Sequence, residues 1–218
     1  MSQDFSRARQ MMVDCQIRTS DVTDPQLVDA FLQVPREEFV PAGRKALAYI
    51  DAEVALGEGR FMPAPAAFAK LVQAASVAPA DVVLDIGCGA GYSTAILSRL
   101  CASVVALEQD RTLADAASRR LGELGYDNAA VVEGPLNLGY PQEGPYDVIV
   151  LNGSIETMPD AILAQLKNGG RLVAVEGHGN SAVAKLWINQ DGAISPRRLF
   201  NSAVSPLPGF SRKAEFAF

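Results

Sequence analysis

A chain of 218 residues with 49% apolar and 20% charged side chains has a globular composition, and its length suits one compact domain with a full core. The formal net charge of -6 argues against affinity that rests on neutralising phosphates, so no nucleic-acid partner is expected. With no run of about 18 apolar residues and no apolar leader-type core at the start, neither a membrane span nor a secretory signal is expected, and the expected location is the cytoplasm.

In chain order, residues 5–18 and 24–33 carry helical spacing, and Asp24-Pro25 supplies an N-cap followed by proline at the first helical position. Leu27, Val28, Phe31 and Leu32 then share one face. From Val34 to Pro65, interspersed Pro and Gly leave room only for short elements, and helical spacing resumes over 65–76. After Pro79 the rhythm changes to short β-branched runs at 82–86, 103–107, 129–132, 147–151 and 171–175, with helical stretches at 92–100, 111–124 and 159–167. Continuous apolar strands alternating with helices predict a mostly parallel sheet covered by helices on both faces. Residues 185–188, 197–204 and 214–218 read as strands without helices between them, so antiparallel additions are expected at the C-terminal edge. The expected fold is therefore α/β, a mostly parallel sheet with helices on both faces and antiparallel C-terminal edge strands. Cys15, Cys88 and Cys101 are odd in number and widely spaced, which indicates neither a disulfide framework nor a metal site.

The stretch VVLDIGCGAGYSTAIL, residues 82–97, runs a buried strand into Gly87, Gly89 and Gly91 and then into a helix, the setting a nucleotide-binding glycine loop requires. Glu108 closes the next strand, where a carboxylate can accept both hydroxyls of a ribose, and Asp85 precedes the glycines, where it could accept from a cationic amine or fix the loop. The G-x-G-x-G spacing, about 80 residues into the chain, favours S-adenosyl-L-methionine over a dinucleotide, whose loop is more often G-x-G-x-x-G near the N-terminus. Glu108 suits either cofactor.

Further motifs carry a family resemblance. MVDCQIR (12–18), VPREEFVP (34–41), AY-x-D (48–51), the glycine loop, LGYDNAAVVEG (124–134), LGYPQEGPYDVIV (138–150) and LKNGGRLVAV (166–175) together resemble the protein-L-isoaspartate O-methyltransferases over about residues 10–175. The resemblance implies a Rossmann-like class I methyltransferase with a mostly parallel seven-stranded sheet, which moves the methyl of S-adenosyl-L-methionine to a carboxylate of an isoaspartyl residue in damaged protein, beginning its repair. It also implies residues 1–78 as a helical and loop segment on the substrate side and 79–218 as the cofactor-binding core. The expected partner is a protein or peptide carboxylate, and the expected assembly a monomer or homodimer.

Three positions depart from the pattern. Gly59-Arg60-Phe61-Met62-Pro63-Ala64-Pro65 aligns with a family segment resembling G-Q-T-I-S-Q-P whose serine is assigned to the active site, so Pro63 stands at that position and no catalytic residue is assigned. Gly134-Pro135-Leu136 replaces Gly-Asp-Gly, removing the aspartate implied to accept the adenine amino group and leaving Glu133 or Asn137 as substitutes. Asn152, at the end of the fourth strand, stands where a threonine or small residue is usual and either lines the site or caps a turn. The expected cofactor residues are Asp85, Gly87, Gly89, Gly91, Glu108, Glu133, Gly134, Pro135 and Asn152; Arg60, Phe61, Met62 and Pro63 form the expected substrate-side loop.

Arg60 either meets a substrate carboxylate or stays solvated. His178, the single histidine, reads as an exposed loop residue, Cys88 as a small residue of the glycine loop, and Trp187 as edge packing. Two other readings remain beside the active enzyme: a family member that binds the cofactor but uses another acceptor or has lost repair activity, and a nicotinamide-dependent oxidoreductase.

Overall fold

A computed structural model describes residues 4–57 and 59–211. Its centre is a seven-stranded sheet built from β3 (Val82–Ile86), β4 (Ser103–Glu108), β5 (Ala129–Glu133), β6 (Tyr146–Ile155), β7 (Leu166–Glu176), β8 (Val183–Gln190) and β9 (Ala193–Asn201), in the order β5-β4-β3-β6-β7-β8-β9. The first five strands in that order run parallel, and β8 and β9 add as antiparallel strands at the edge. The expected strand at 214–218 lies outside the described residues.

Alternation along each strand divides the core between two faces. Val83, Val148, Val150, Val173 and Val175 point toward the N-terminal helices α1 (Phe5–Met12), α2 (Pro25–Gln33) and α3 (Pro65–Ala75) and toward α4 (Tyr92–Ser98). Leu84, Ile86, Ile149, Leu151 and Leu172 point the other way, onto Met158, Ile162, Leu207 and Phe210. Asp24 caps α2 by accepting from the backbone N–H groups of Gln26 and Leu27, at 2.9 and 3.2 Å, as its sequence predicts. Phe31 of α2 packs edge-on against Phe68 of α3 and Tyr92 of α4, with ring centres 6.1 and 6.3 Å apart. The N-terminal segment thus shares one core with the sheet.

Two elements differ from expectation. The first helix continues past α1 as a π-helical turn over Val13–Ile17 and a 3-10 turn over Arg18–Ser20, which stops where Asp21 adopts a left-handed conformation, φ 63°. The helix expected over 159–167 is only α6 (Asp160–Leu163), because Leu166 pairs with Tyr146 as the first residue of β7. The register then shifts before Arg171 pairs with Val148, around Gly169 at φ +77°. Residues 111–124 form α5 (Arg111–Glu123) as the sequence implies.

The irregular region from Val34 to Pro65 resolves into 3-10 turns and a separate hairpin, β1 (Val54–Gly57) and β2 (Arg60–Met62). That hairpin is a sheet of its own and lies over the glycine loop.

Candidate active site

The strand order reverses at β3, which has β4 on one side and β6 on the other. Ligands of open α/β sheets bind at the carboxyl ends of the strands at such a switch point. Gly87, Gly89, Gly91, Asp85, Glu108 and Asn152 gather there, and all six are buried. Gly87 and Gly89 have φ of +76° and +56°, a backbone region closed to most other residues, so glycine is required by the turn itself.

Asp85 is fully buried at the end of β3 and accepts from Ser93 Oγ at 2.8 Å, from Thr94 Oγ1 at 2.6 Å and from Asn152 Nδ2. Burial pushes its carboxyl up to about 6, against the pull of the three donors. An acid whose folded pKa lies above its unfolded value stabilises the fold fully below the unfolded pKa and loses that contribution as pH rises through the folded one. Two units correspond to about 3 kcal/mol. Asp85→Asn is therefore expected to flatten the decline in stability between about pH 4 and pH 6, read from urea unfolding of both proteins across that range. Superimposable pH profiles would refute the assignment.

Glu108 is fully buried at the end of β4. Its Oε2 accepts from the Gly89 N–H at 2.8 Å, and its Oε1 from the N–H groups of Gln109 and Asp110 at 2.9 and 3.2 Å. The remaining donors come from Arg60 of β2, whose Nε lies 3.3 Å from Oε1 and whose Nη2 lies 3.0 Å from Oε2. Arg60 Nη2 also donates to the Gly87 carbonyl at 2.9 Å.

Arg60 corrects one reading of the sequence. It is not a solvated loop arginine, for only 3% of it is exposed, and the carboxylate it meets is internal. Had residues 60–62 been read as a strand, alternation would have put Arg60 on the same buried side as Met62. Phe61 and Pro63 are partly buried, and they line a cavity of about 10 Å³ with Leu56, Gly87 and Ser93. A second cavity of about 10 Å³ joins Pro63 to Asn152, Gly153 and Phe68. Each has room for about one water. Of the larger hollows, two near Pro25 and Asp29 have no glycine-loop residue in their walls, and one of about 160 Å³ between Val40, Leu56, Leu113 and Arg120 touches the loop at Ala90 without reaching Glu108.

Sequence reasoning missed Arg36, the arginine of VPREEFVP. It is fully buried, donates from Nε to the Ala48 carbonyl and from Nη2 to the Pro63 carbonyl, both at 2.6 Å, and sits 4.6 Å above the Tyr92 ring. The burial lowers its affinity for a proton from the usual arginine range. It thereby fixes the backbone at Pro63. No hydropathy pattern marks a buried arginine, so only its place between two apolar turns could have drawn notice.

The third strand end is more open. Glu133 and Pro135 are exposed, and the Gly134 N–H donates to the Glu108 carbonyl at 3.0 Å. Leu136 is fully buried beside Gly87, and Asn137 faces Gly209. His178 lies in an exposed loop with Nε2 3.3 Å from Glu156 Oε1. Burial pushes the Cys88 thiol well up, away from a reactive thiolate. Trp187 is buried in the second core rather than at an edge, because β9 covers β8. Among the described residues no cluster of His, Cys, Asp and Glu could hold a metal, and no helix is long and apolar enough to cross a membrane.

Comparison with solved structures places this architecture. A protein-L-isoaspartate O-methyltransferase superposes with a TM-score of 0.81 at 26% identity, over 92% of this chain and 66% of that one. A Plasmodium falciparum structure described as a protein-L-isoaspartate O-methyltransferase, in complex with S-adenosyl-L-homocysteine, superposes with a TM-score of 0.78 at 20% identity, over 94% and 99%. The fold and the glycine loop at its switch point define a methyltransferase of the Rossmann-like class, dependent on S-adenosyl-L-methionine.

The family model for protein-L-isoaspartate(D-aspartate) O-methyltransferase matches residues 7–208, and the chain belongs to that family. The protein-L-isoaspartate O-methyltransferase of Roseiflexus castenholzii is 37% identical over 207 residues, 94% of either chain.

Proposed function

We propose that the chain methylates a carboxylate oxygen of isoaspartyl residues in proteins, with its cofactor held by Gly87, Gly89, Gly91, Glu108 and Asn152. The observation that carries this reading is the meeting of the glycine loop and Glu108 at the switch point, within a family match that spans nearly the whole chain. The residues suit a ribose and an ammonium group in kind. Glu108 offers two carboxylate oxygens, and Asn152 Oδ1 is a buried acceptor without a hydrogen-bond partner among the described residues. Such an acceptor costs about 1–3 kcal/mol until a donor meets it. With Pro135 where the resemblance implies an adenine-side aspartate, Glu133, the backbone at Gly134 and Asn137 are the groups placed to meet the base.

The bound cofactor supplies an electrophilic sulfonium methyl. A substrate carboxylate with a pKa of about 4 is ionised at neutral pH, so no strong base is required. The protein's work is to place the oxygen in line with the methyl carbon and strip part of its water. Residues 1–78 supply the acceptor side in this reading, with the backbone at Pro63, just past β2, held by Arg36. The net charge of -6 supports a protein acceptor over nucleic acid, and we place the enzyme in the cytoplasm as a monomer or homodimer.

Calorimetric titration with S-adenosyl-L-methionine and with NAD separates this reading from an oxidoreductase: heat with NAD alone would sink it. Restoring a hydroxyl with Pro63→Ser is expected to raise kcat/KM for an isoaspartyl peptide about tenfold, the worth of one hydrogen bond made in the transition state. An unchanged or lower kcat/KM would mean that Pro63 does not limit the acceptor side.

A further inference from the structure

We infer that the β1–β2 hairpin is a latch that closes the cofactor site from within, and that Arg60 competes with the cofactor's ribose for Glu108. The inference rests on the assignment of that site in the proposed function.

Three parts of the chain occupy the seat. Arg60 takes both oxygens of Glu108 and the carbonyl of Gly87. Leu56 of β1 lies over Gly89, its Cδ1 2.6 Å from where a Cβ would stand, and Leu207 lies over Gly87 and Gly153 at 2.8 and 2.7 Å by the same measure. The glycines that normally give a ligand room to approach backbone thus give room to the protein's own side chains. With cavities of about 10 Å³ on either side of Pro63, a nucleoside can reach Glu108 only after the hairpin lifts.

The latch is built to move. A two-stranded hairpin outside the main sheet is marginal by itself, and Val54 and Met62 root this one in the core, so its turn end is the part free to lift. This one has three register pairs with an irregularity between Ala55 and Gly57, and it turns through Gly57 and Gly59 at φ +119° and +70°. It is also tied to the other cover. Glu53, just before β1, accepts from Ser205 N–H at 2.9 Å and Ser205 Oγ at 2.7 Å, and Ser205–Leu207 is pinned to Ser154 by two backbone hydrogen bonds. Lifting the hairpin therefore pulls on the segment that carries Leu207.

Removing Arg60 takes away the counter-charge of Glu108 and lowers the stability of the fold, but the N–H groups of Gly89, Gln109 and Asp110 still donate to the carboxylate. The apparent dissociation constant of a ligand is its intrinsic value divided by the fraction of open protein. Arg60→Met is accordingly expected to bind S-adenosyl-L-homocysteine at least about tenfold more tightly by calorimetry. In the ligand-free variant, amide exchange in the peptides covering 54–57 and 59–62 should rise. Leu207→Ala, which opens the second cover and leaves the ion pair in place, should shift both readouts in the same direction. Equal affinity in wild type and variants, or unchanged hairpin exchange, would overturn the latch. Faster exchange with no binding to any of the three proteins would overturn the cofactor site itself, and the competition with it.

Discussion

Glu108→Ala is expected to abolish measurable binding of S-adenosyl-L-methionine and to cost the fold about 3–5 kcal/mol, the usual penalty for leaving one partner of a buried ion pair alone. The carboxylate gathers the Gly89, Gln109 and Asp110 N–H groups, which lose their acceptor together, and the Arg60 guanidinium, which loses its counter-charge and keeps only the Gly87 carbonyl. Two ribose hydroxyls donating to a charged acceptor are worth about 1.5–3 kcal/mol each. Their loss weakens binding by about two to four powers of ten. Glu108→Gln, which keeps an acceptor oxygen and the volume, should lose less on both counts. Calorimetry gives the affinity and urea unfolding the stability. Retention of wild-type affinity in the alanine variant would remove Glu108 from the cofactor site.

Phe31→Ala should produce the largest loss of stability without touching the site, about 3–5 kcal/mol for a large aromatic removed from a filled core. Phe31 is fully buried in α2, and beside Phe68 in α3 of the same N-terminal segment it packs edge-on against Tyr92 in α4, which follows the glycine loop. The N-terminal segment and the sheet should therefore unfold together. Near-ultraviolet and far-ultraviolet signals are expected to follow one urea transition, shifted to lower denaturant in the variant. Two separated transitions would mean that residues 1–78 fold as an independent unit.

Much of this architecture is written in local patterns. The apolar runs at 82–86 and 147–151 are long enough and β-branched enough to be parallel strands, and the glycines that follow the first of them mark where a ligand can approach. Asp24-Pro25 states the start of α2 outright. The helix expected over 159–167 failed because Leu163 and Leu166 have helical spacing, while pairing with Tyr146 draws Leu166 into β7. Long-range pairing outweighs local periodicity in such a short stretch. Arg60 and Arg36 were hidden for a related reason: both are charged, so hydropathy assigns them to solvent, and only their distant partners keep them inside. Glu108 is 48 positions from Arg60, and the Pro63 carbonyl is 27 from Arg36. The segment Gly59–Pro65 thus has two parts, a backbone at Pro63 held by Arg36 and a hairpin strand whose own arginine reaches the buried Glu108 carboxylate.

The reaction itself is the most direct test. Incubation of the full chain with methyl-tritiated S-adenosyl-L-methionine and a peptide containing one isoaspartyl residue should yield a base-labile tritiated methyl ester, absent with the same peptide carrying ordinary aspartate. Calorimetric binding of the cofactor with no base-labile ester on the isoaspartyl peptide would contradict the proposed acceptor.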